Sequence, residues 1–155
     1  MDCYCNSKKK YNACCYPFLS GNLKPESPEE LMRSRYSAFC IKDTKYLIST
    51  HHPSRQEPNE AELLNQTFRN TLWIGLKILK TEESRTDNQI GYVEFAAFYQ
   101  NDPIGQLHEN SRFIYETEQW FYLDGVILDP LTFSRNELCW CGNNKKYKKC
   151  HGKNT

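Results

Sequence analysis

The run Gln106-Leu107-His108-Glu109-Asn110-Ser111-Arg112-Phe113-Ile114-Tyr115-Glu116-Thr117 carries the reading of the fold. Taken at the period of two that a strand imposes, it puts Leu107, Glu109, Ser111, Phe113 and Tyr115 on one face and His108, Asn110, Arg112, Ile114 and Glu116 on the other. The first face is apolar except for Glu109 and Ser111, so a carboxylate and a hydroxyl point with the core. Residues 71 to 81, 89 to 100 and 119 to 124 share the aromatic and β-branched texture of strands and are separated by polar or glycine-containing turns. The Asn101-Asp102-Pro103 break and the Glu118-Gln119 joint suggest antiparallel hairpins.

Upstream of the strands the pattern is helical. Ser27-Pro28-Glu29-Glu30 combines a capping serine, a proline suited to the first helical position and a glutamate three residues after the cap. The helix is expected to run to about Ile41, with Leu31, Met32, Tyr36, Ala38, Phe39 and Cys40 on one arc. Arg35 falls inside that arc. Either it snorkels to the surface, or it stays in the core and requires a carboxylate or carbonyl partner. A lone buried carboxylate is equally costly, so Glu109 is expected to meet Arg35 inside the concave face of the sheet, with Tyr36, Trp73 or Trp120 nearby. The alternative is an ion pair that only fixes the packing of helix on sheet. Short helices follow around residues 43 to 50 and 59 to 69, flanking a loop with His51, His52, Pro53 and Pro58. No carboxylate or cysteine stands at ligand spacing beside the paired histidines, and they read as part of a solvated loop. Three helices followed by a curled antiparallel sheet make an α+β layer architecture.

The two ends repeat each other at an offset of 136 residues. Cys3, Cys5, Cys14 and Cys15 align with Cys139, Cys141, Cys150 and His151, each end reading C-x-C, eight residues, then two consecutive ligands. Four thiolates, or three thiolates and an imidazole, are the closed tetrahedral sets of structural zinc, so two zinc ions are expected. Disulfides and simple packing are the alternatives. A reducing compartment disfavours the first, a bond across Cys14-Cys15 would be strained, and a histidine in place of a cysteine has no meaning in a disulfide framework. The lysines beside each set offset the charge of bound thiolates, or else mark a solvated loop. Both ends resemble the SEC-C motif, the zinc-binding tail named from the SecA translocation ATPase, whose pattern runs roughly C-P-C-G-S-G-K-K-Y-K-K-C-[CH]-G. Cys139, Cys141, Gly142, Lys145 to Lys149, Cys150, His151 and Gly152 match it, with Trp140 in place of the proline. The N-terminal copy has Asn6 and Lys8 where glycines are usual, which puts its loop geometry in question.

With 155 residues the chain is long enough for one core, and three segments are expected: residues 1 to 24, residues 25 to 135, and residues 136 to 155. The net charge of +1 conceals basic ends on an acidic middle. No apolar run approaches the roughly 18 residues of a membrane span or the apolar stretch of a signal peptide, and a cytoplasmic protein is expected. Over essentially its whole length the chain resembles the YchJ family, in which SEC-C motifs flank a middle domain similar to nuclear transport factor 2 (cystatin-like). Leu31-Met32-Arg33-Ser34-Arg35-Tyr36-Ser37-Ala38, Trp73-Ile74-Gly75-Leu76, Gly91-Tyr92-Val93-Glu94-Phe95, His108-Glu109-Asn110-Ser111-Arg112-Phe113 and Trp120-Phe121-Tyr122-Leu123-Asp124-Gly125 carry that resemblance. It implies a cone-shaped fold, and such folds host enzymes, binders and scaffolds alike.

Three functions are therefore weighed. The first is a zinc-dependent adaptor whose basic ends recognise a protein partner, with translocation chaperones or ribosomes implied by resemblance alone. The second is a small-molecule binder or enzyme using the cone, with Arg33, Arg35, Tyr36, Trp73, Glu109, Ser111 and Trp120 as pocket candidates. In the third, Lys145, Lys146, Lys148 and Lys149 contact nucleic-acid phosphates while Trp140 and Tyr147 stack on bases.

Overall fold

A computed structural model describes residues 1–84 and 89–153. The helix start at Ser27 forms as written: its hydroxyl accepts from the Glu30 N–H at 3.1 Å, and the Glu30 carboxylate accepts from the Glu26 N–H at 2.7 Å. After a single turn, α1 (Tyr16–Leu19), the long helix α2 runs Pro28–Ile41 and stops where Lys42 turns left-handed at φ 64°. The short helix α3 (Thr44–Ser49) is capped by the Asp43 carboxylate, and α4 (Glu60–Asn70) closes the helical half.

Four strands follow: β1 (Trp73–Glu83), β2 (Ile90–Tyr99), β3 (Gly105–Glu116) and β4 (Gln119–Ile127). They form an antiparallel meander in that order. Thr117 and Glu118, at φ 50° and 64°, supply the left-handed pair that a two-residue hairpin needs between β3 and β4. Irregularities between Trp73 and Gly75, Ile78 and Lys80, and Arg112 and Phe113 add local twist and bend. The helices lie against one face, where Leu31, Tyr36, Phe95, Phe113 and Trp120 share one buried cluster.

Burial on α2 extends beyond the expected apolar arc, because Ser34 and Ser37 are fully buried as well. Ser34 hydrogen-bonds the Tyr46 hydroxyl at 2.6 Å, while the Ser37 hydroxyl lies 3.8 Å from Cys3 Sγ. The N-terminal segment therefore packs on the helix, and Cys3, Cys5 and Cys15 belong to the same buried cluster as Leu31 and Phe95. It is part of the core, not an appendage.

The expected pairing of Arg35 with Glu109 is corrected. Both are buried, yet no ion pair joins them. Arg35 donates to the Leu47 carbonyl at 2.8 Å and to Thr50 Oγ1 at 2.7 Å, with its guanidinium 4.9 Å above the Tyr122 ring. Glu109 Oε1 accepts from Tyr122 at 2.9 Å and from Ser111 at 2.8 Å. Tyr122 thus mediates between them. Burial pushes the guanidinium down to about 10, so it remains charged at neutral pH.

Candidate metal centres

The repeat read from the ends is reproduced in backbone detail. Cys3 N–H donates to Lys9 O and Cys139 N–H to Lys145 O, both at 2.8 Å, and a single 3₁₀ turn precedes each ligand pair, Tyr11–Ala13 and Tyr147–Lys149. The loop geometry questioned at Asn6 and Lys8 is retained. They adopt φ 59° and 65°, as Gly142 and Asn144 do at 78° and 57°. Asparagine tolerates that region readily; lysine does so at some cost, which the surrounding loop must offset.

In each end four donor atoms lie within 4.8 Å of one another: the sulfurs of Cys3, Cys5, Cys14 and Cys15, and those of Cys139, Cys141 and Cys150 with a ring nitrogen of His151. The thiolate edges measure 3.6 Å (Cys5–Cys14), 3.9 Å (Cys14–Cys15) and 3.5 Å (Cys141–Cys150), and His151 Nδ1 stands 3.2 and 3.4 Å from Cys139 and Cys150 Sγ. A tetrahedron built on metal–sulfur bonds of about 2.3 Å has edges of about 3.8 Å, so both donor sets fit a tetrahedral ion. All eight cysteines are free, which removes the disulfide alternative. Without a cation the donors of one set do not ionise alike. Burial pushes Cys14 and Cys141 up to about 11, whereas at Cys139 the N–H groups of Cys141 and His151 outweigh burial and bring the thiol down to about 7. A metal ion bound there would let all four donors of a set share one site.

Neither end hangs free. Arg33, a pocket candidate, reaches instead to the Cys5 carbonyl at 2.8 Å. Trp140 is buried, stacked on Phe98 of β2 at 3.9 Å and on His151 at 4.3 Å. Its burial takes it out of the base-stacking role considered above. Its ring lies directly over Gly75 of β1, a contact only a residue without a Cβ permits, and Asn6 Nδ2 stands at 3.4 Å from the same Cβ position. Lys8 Cε reaches to 3.4 Å from the Cβ position at Gly142. The two ends therefore meet over β1.

The remaining pocket candidates do not converge. Glu109 and Ser111 form a buried knot with Tyr122, its carboxylate lying over Gly125, where any Cβ would displace it. Tyr36 and Trp73 line a separate cavity, and Trp120 lines a groove with Phe18, Leu23 and Tyr115 while donating to the Glu26 carbonyl at 3.3 Å. His51 and His52, read as a solvated loop, are both engaged: His51 Nδ1 with Glu60 and stacked on Tyr122 at 5.4 Å, His52 with Glu116. These partners lie 9 and 64 residues away and are brought to the histidines by the fold.

The comparisons agree with this architecture. A family model for the YchJ middle NTF2-like domain matches residues 27–125, and one for the SEC-C motif matches residues 135–153. A UPF0225 protein of Enterobacter sp. (strain 638) is 46% identical over 151 residues, covering 97% of both chains, and one of Vibrio cholerae is 39% identical over 98% of this chain and 100% of its own. Among solved structures, a SEC-C motif containing protein from Rhodopseudomonas palustris superposes with TM-score 0.76 at 32% identity, over 83% of this chain and 100% of the other. Another from Psychrobacter arcticus gives 0.71 at 25% identity, over 99% and 96%.

Proposed function

The chain belongs to the YchJ family, and from that premise we propose that it is a zinc-dependent adaptor whose working surface is the pair of metal centres standing side by side over β1. The observation that carries the reading is the meeting of the two ends at Gly75 and Gly142, which joins two basic loops into one surface. Lys8, Lys9, Lys145, Lys146 and Lys149 are exposed there. Zinc is the ion that closed sets of four thiolates or three thiolates and one imidazole select, and reduced thiols suit the cytoplasm. An acidic segment of a partner protein is the complement of such a surface.

Metal analysis of purified chain should find two zinc ions per molecule. Affinity capture from bacterial lysate with the intact chain, and with Lys145→Glu/Lys146→Glu/Lys149→Glu, tests the surface. Partners that disappear on charge reversal support the adaptor; an identical partner set with both baits removes it. No helix among the described residues is long and apolar enough to cross a membrane.

A further inference from the structure

Three tyrosines at the N-terminal end touch one another. Tyr11 stands between Tyr4 and Tyr16, with ring centroids 5.5 and 5.7 Å away. Tyr11 packs against the main buried cluster, whereas Tyr4 and Tyr16 lie outside it and are 37% and 46% exposed. The backbone beneath them is pinned: the Tyr11 N–H donates to the Met1 carbonyl at 3.1 Å, and Cys3, Cys5 and Cys15 beside the two outer rings are buried. Scattered exposed rings are ordinary on a protein surface, but exposed rings in mutual contact on a fixed loop call for a partner. The repeat sharpens the contrast. Tyr4 and Trp140 hold the same position in the two ends, yet Trp140 is spent on Phe98 and His151 while Tyr4 is turned to solvent.

The surroundings of these rings are basic. Residues 1–24 hold four lysines and a single acid, Asp2, which Lys10 Nζ already binds at 2.7 Å. Lys8, Lys9 and Lys10 are exposed in the loop that joins Tyr4 to Tyr11. The charge of Asp43 is felt at Tyr11, but its carboxylate caps α3 by accepting from the Tyr46 N–H at 3.0 Å, and exposed Lys42 and Lys45 stand on either side of it in the chain.

We infer that this face binds single-stranded nucleic acid, with bases stacking on Tyr4 and Tyr16 while the lysines of the loop follow the phosphates. An acidic peptide would meet the lysines and leave the rings idle. A duplex has its base faces already stacked on one another. A single strand supplies both a polyanion and free base faces, and exposed aromatics interleaved with lysines are the surface that complements it. Rings fixed before binding lose little freedom in the complex. The face shares Lys8 and Lys9 with the proposed adaptor surface, but its tyrosines have no part in that reading, so the two fail separately.

Fluorescence anisotropy on the intact, metal-loaded chain tests it with labelled dodecamers of uridylate and thymidylate, an abasic strand of the same length and charge, and a mixed-sequence duplex. Both base-bearing strands should bind saturably, at least tenfold more tightly than the abasic strand or the duplex, and more weakly as salt rises. Tyr4→Ala/Tyr16→Ala should weaken binding at least tenfold, while Tyr4→Phe/Tyr16→Phe stays within twofold of the parent chain. Equal affinity for the abasic strand or the duplex overturns the stacking, and no saturable binding at low salt overturns the site. Polyglutamate that displaces the strand as well as unlabelled uridylate does assigns the face to an acidic protein segment and overturns the proposal. Loss of strand binding in Lys145→Glu/Lys146→Glu/Lys149→Glu but not in Tyr4→Ala/Tyr16→Ala also overturns it and leaves the adaptor surface standing. The comparison of strands on the unaltered chain decides the matter even where the alanine variant does not fold.

Discussion

Replacing Gly75 by alanine separates an end that is docked from one that is merely tethered. The glycine lies outside the left-handed region, so alanine fits its backbone, and with space around it the substitution would stabilise the fold by about 0.4–1 kcal/mol through the unfolded chain. In the structure the new methyl overlaps Cζ3 of Trp140 and lies 3.1 Å from its Cε3. Trp140 cannot swing aside, because it is sandwiched between Phe98 and His151, and His151 belongs to the C-terminal donor set. Restoring an ordinary carbon–carbon separation of about 3.5–4.0 Å moves the whole metal centre outward by roughly an ångström. Overpacking of this kind costs about 1–3 kcal/mol. Complete undocking costs more, since burying an aromatic ring of about 200 Å² is worth about 5 kcal/mol. The smaller response wins, and Gly75→Ala should destabilise by about 2 kcal/mol. For a chain of this length that lowers the melting temperature by roughly 4–8 °C. Thermal and urea unfolding of the zinc-loaded protein measure it, with zinc content checked before and after. A neutral or stabilised Gly75→Ala would refute the docking of the C-terminal centre on β1 and, with it, the composite surface.

The other expectations are more compact. Cys15→Ser should halve the zinc content and lower the melting of the entire fold, since Cys15 shares the main buried cluster; loss of one ion with unchanged melting would show the N-terminal segment to be dispensable. Arg35→Ala should cost about 2–4 kcal/mol by leaving the Leu47 carbonyl and Thr50 hydroxyl short of a donor, and Arg35→Met less; equal stability of all three forms in urea titration would contradict the buried network. At His108 burial opposes protonation, but the Asp129 carbonyl at 2.6 Å and Glu94 at 2.9 Å outweigh it and raise the pKa above 6.5. A raised folded value means that this contribution to stability is fully present below the unfolded value near 6.5 and is lost as pH climbs through the folded one. An NMR titration should place His108 above 6.5 and show Glu94→Gln lowering it; a midpoint at or below 6.5 in the parent chain would contradict the pairing.

The two donor sets were legible because their chemistry is local. Each donor set spans 13 residues, and the spacing alone brings the ligands together once Asn6 and Lys8, or Gly142 and Asn144, turn left-handed. The capped start of α2 and the alternation of β3 were legible for the same reason: caps and pleats depend on residues a few positions apart. That alternation correctly buried Glu109 and Ser111 and set His108 on the opposite face.

Partnership across the fold was a different matter. Charge arithmetic matched Arg35 with Glu109, but a buried guanidinium is equally well served by carbonyls, hydroxyls and a ring, and Leu47, Thr50 and Tyr122 reached it first. The binding of His51 to Glu60 and of His52 to Glu116, the dry second face of α2 and the seating of Trp140 over Gly75 likewise depend on elements separated by helices and turns. Sequence spacing thus sets which atoms can gather around an ion, since ligands at most 12 residues apart are held by short-range backbone geometry. The position of the two donor sets relative to each other and to the core follows from the packing of distant surfaces, where the free energy of burial selects among partners that no local pattern ranks.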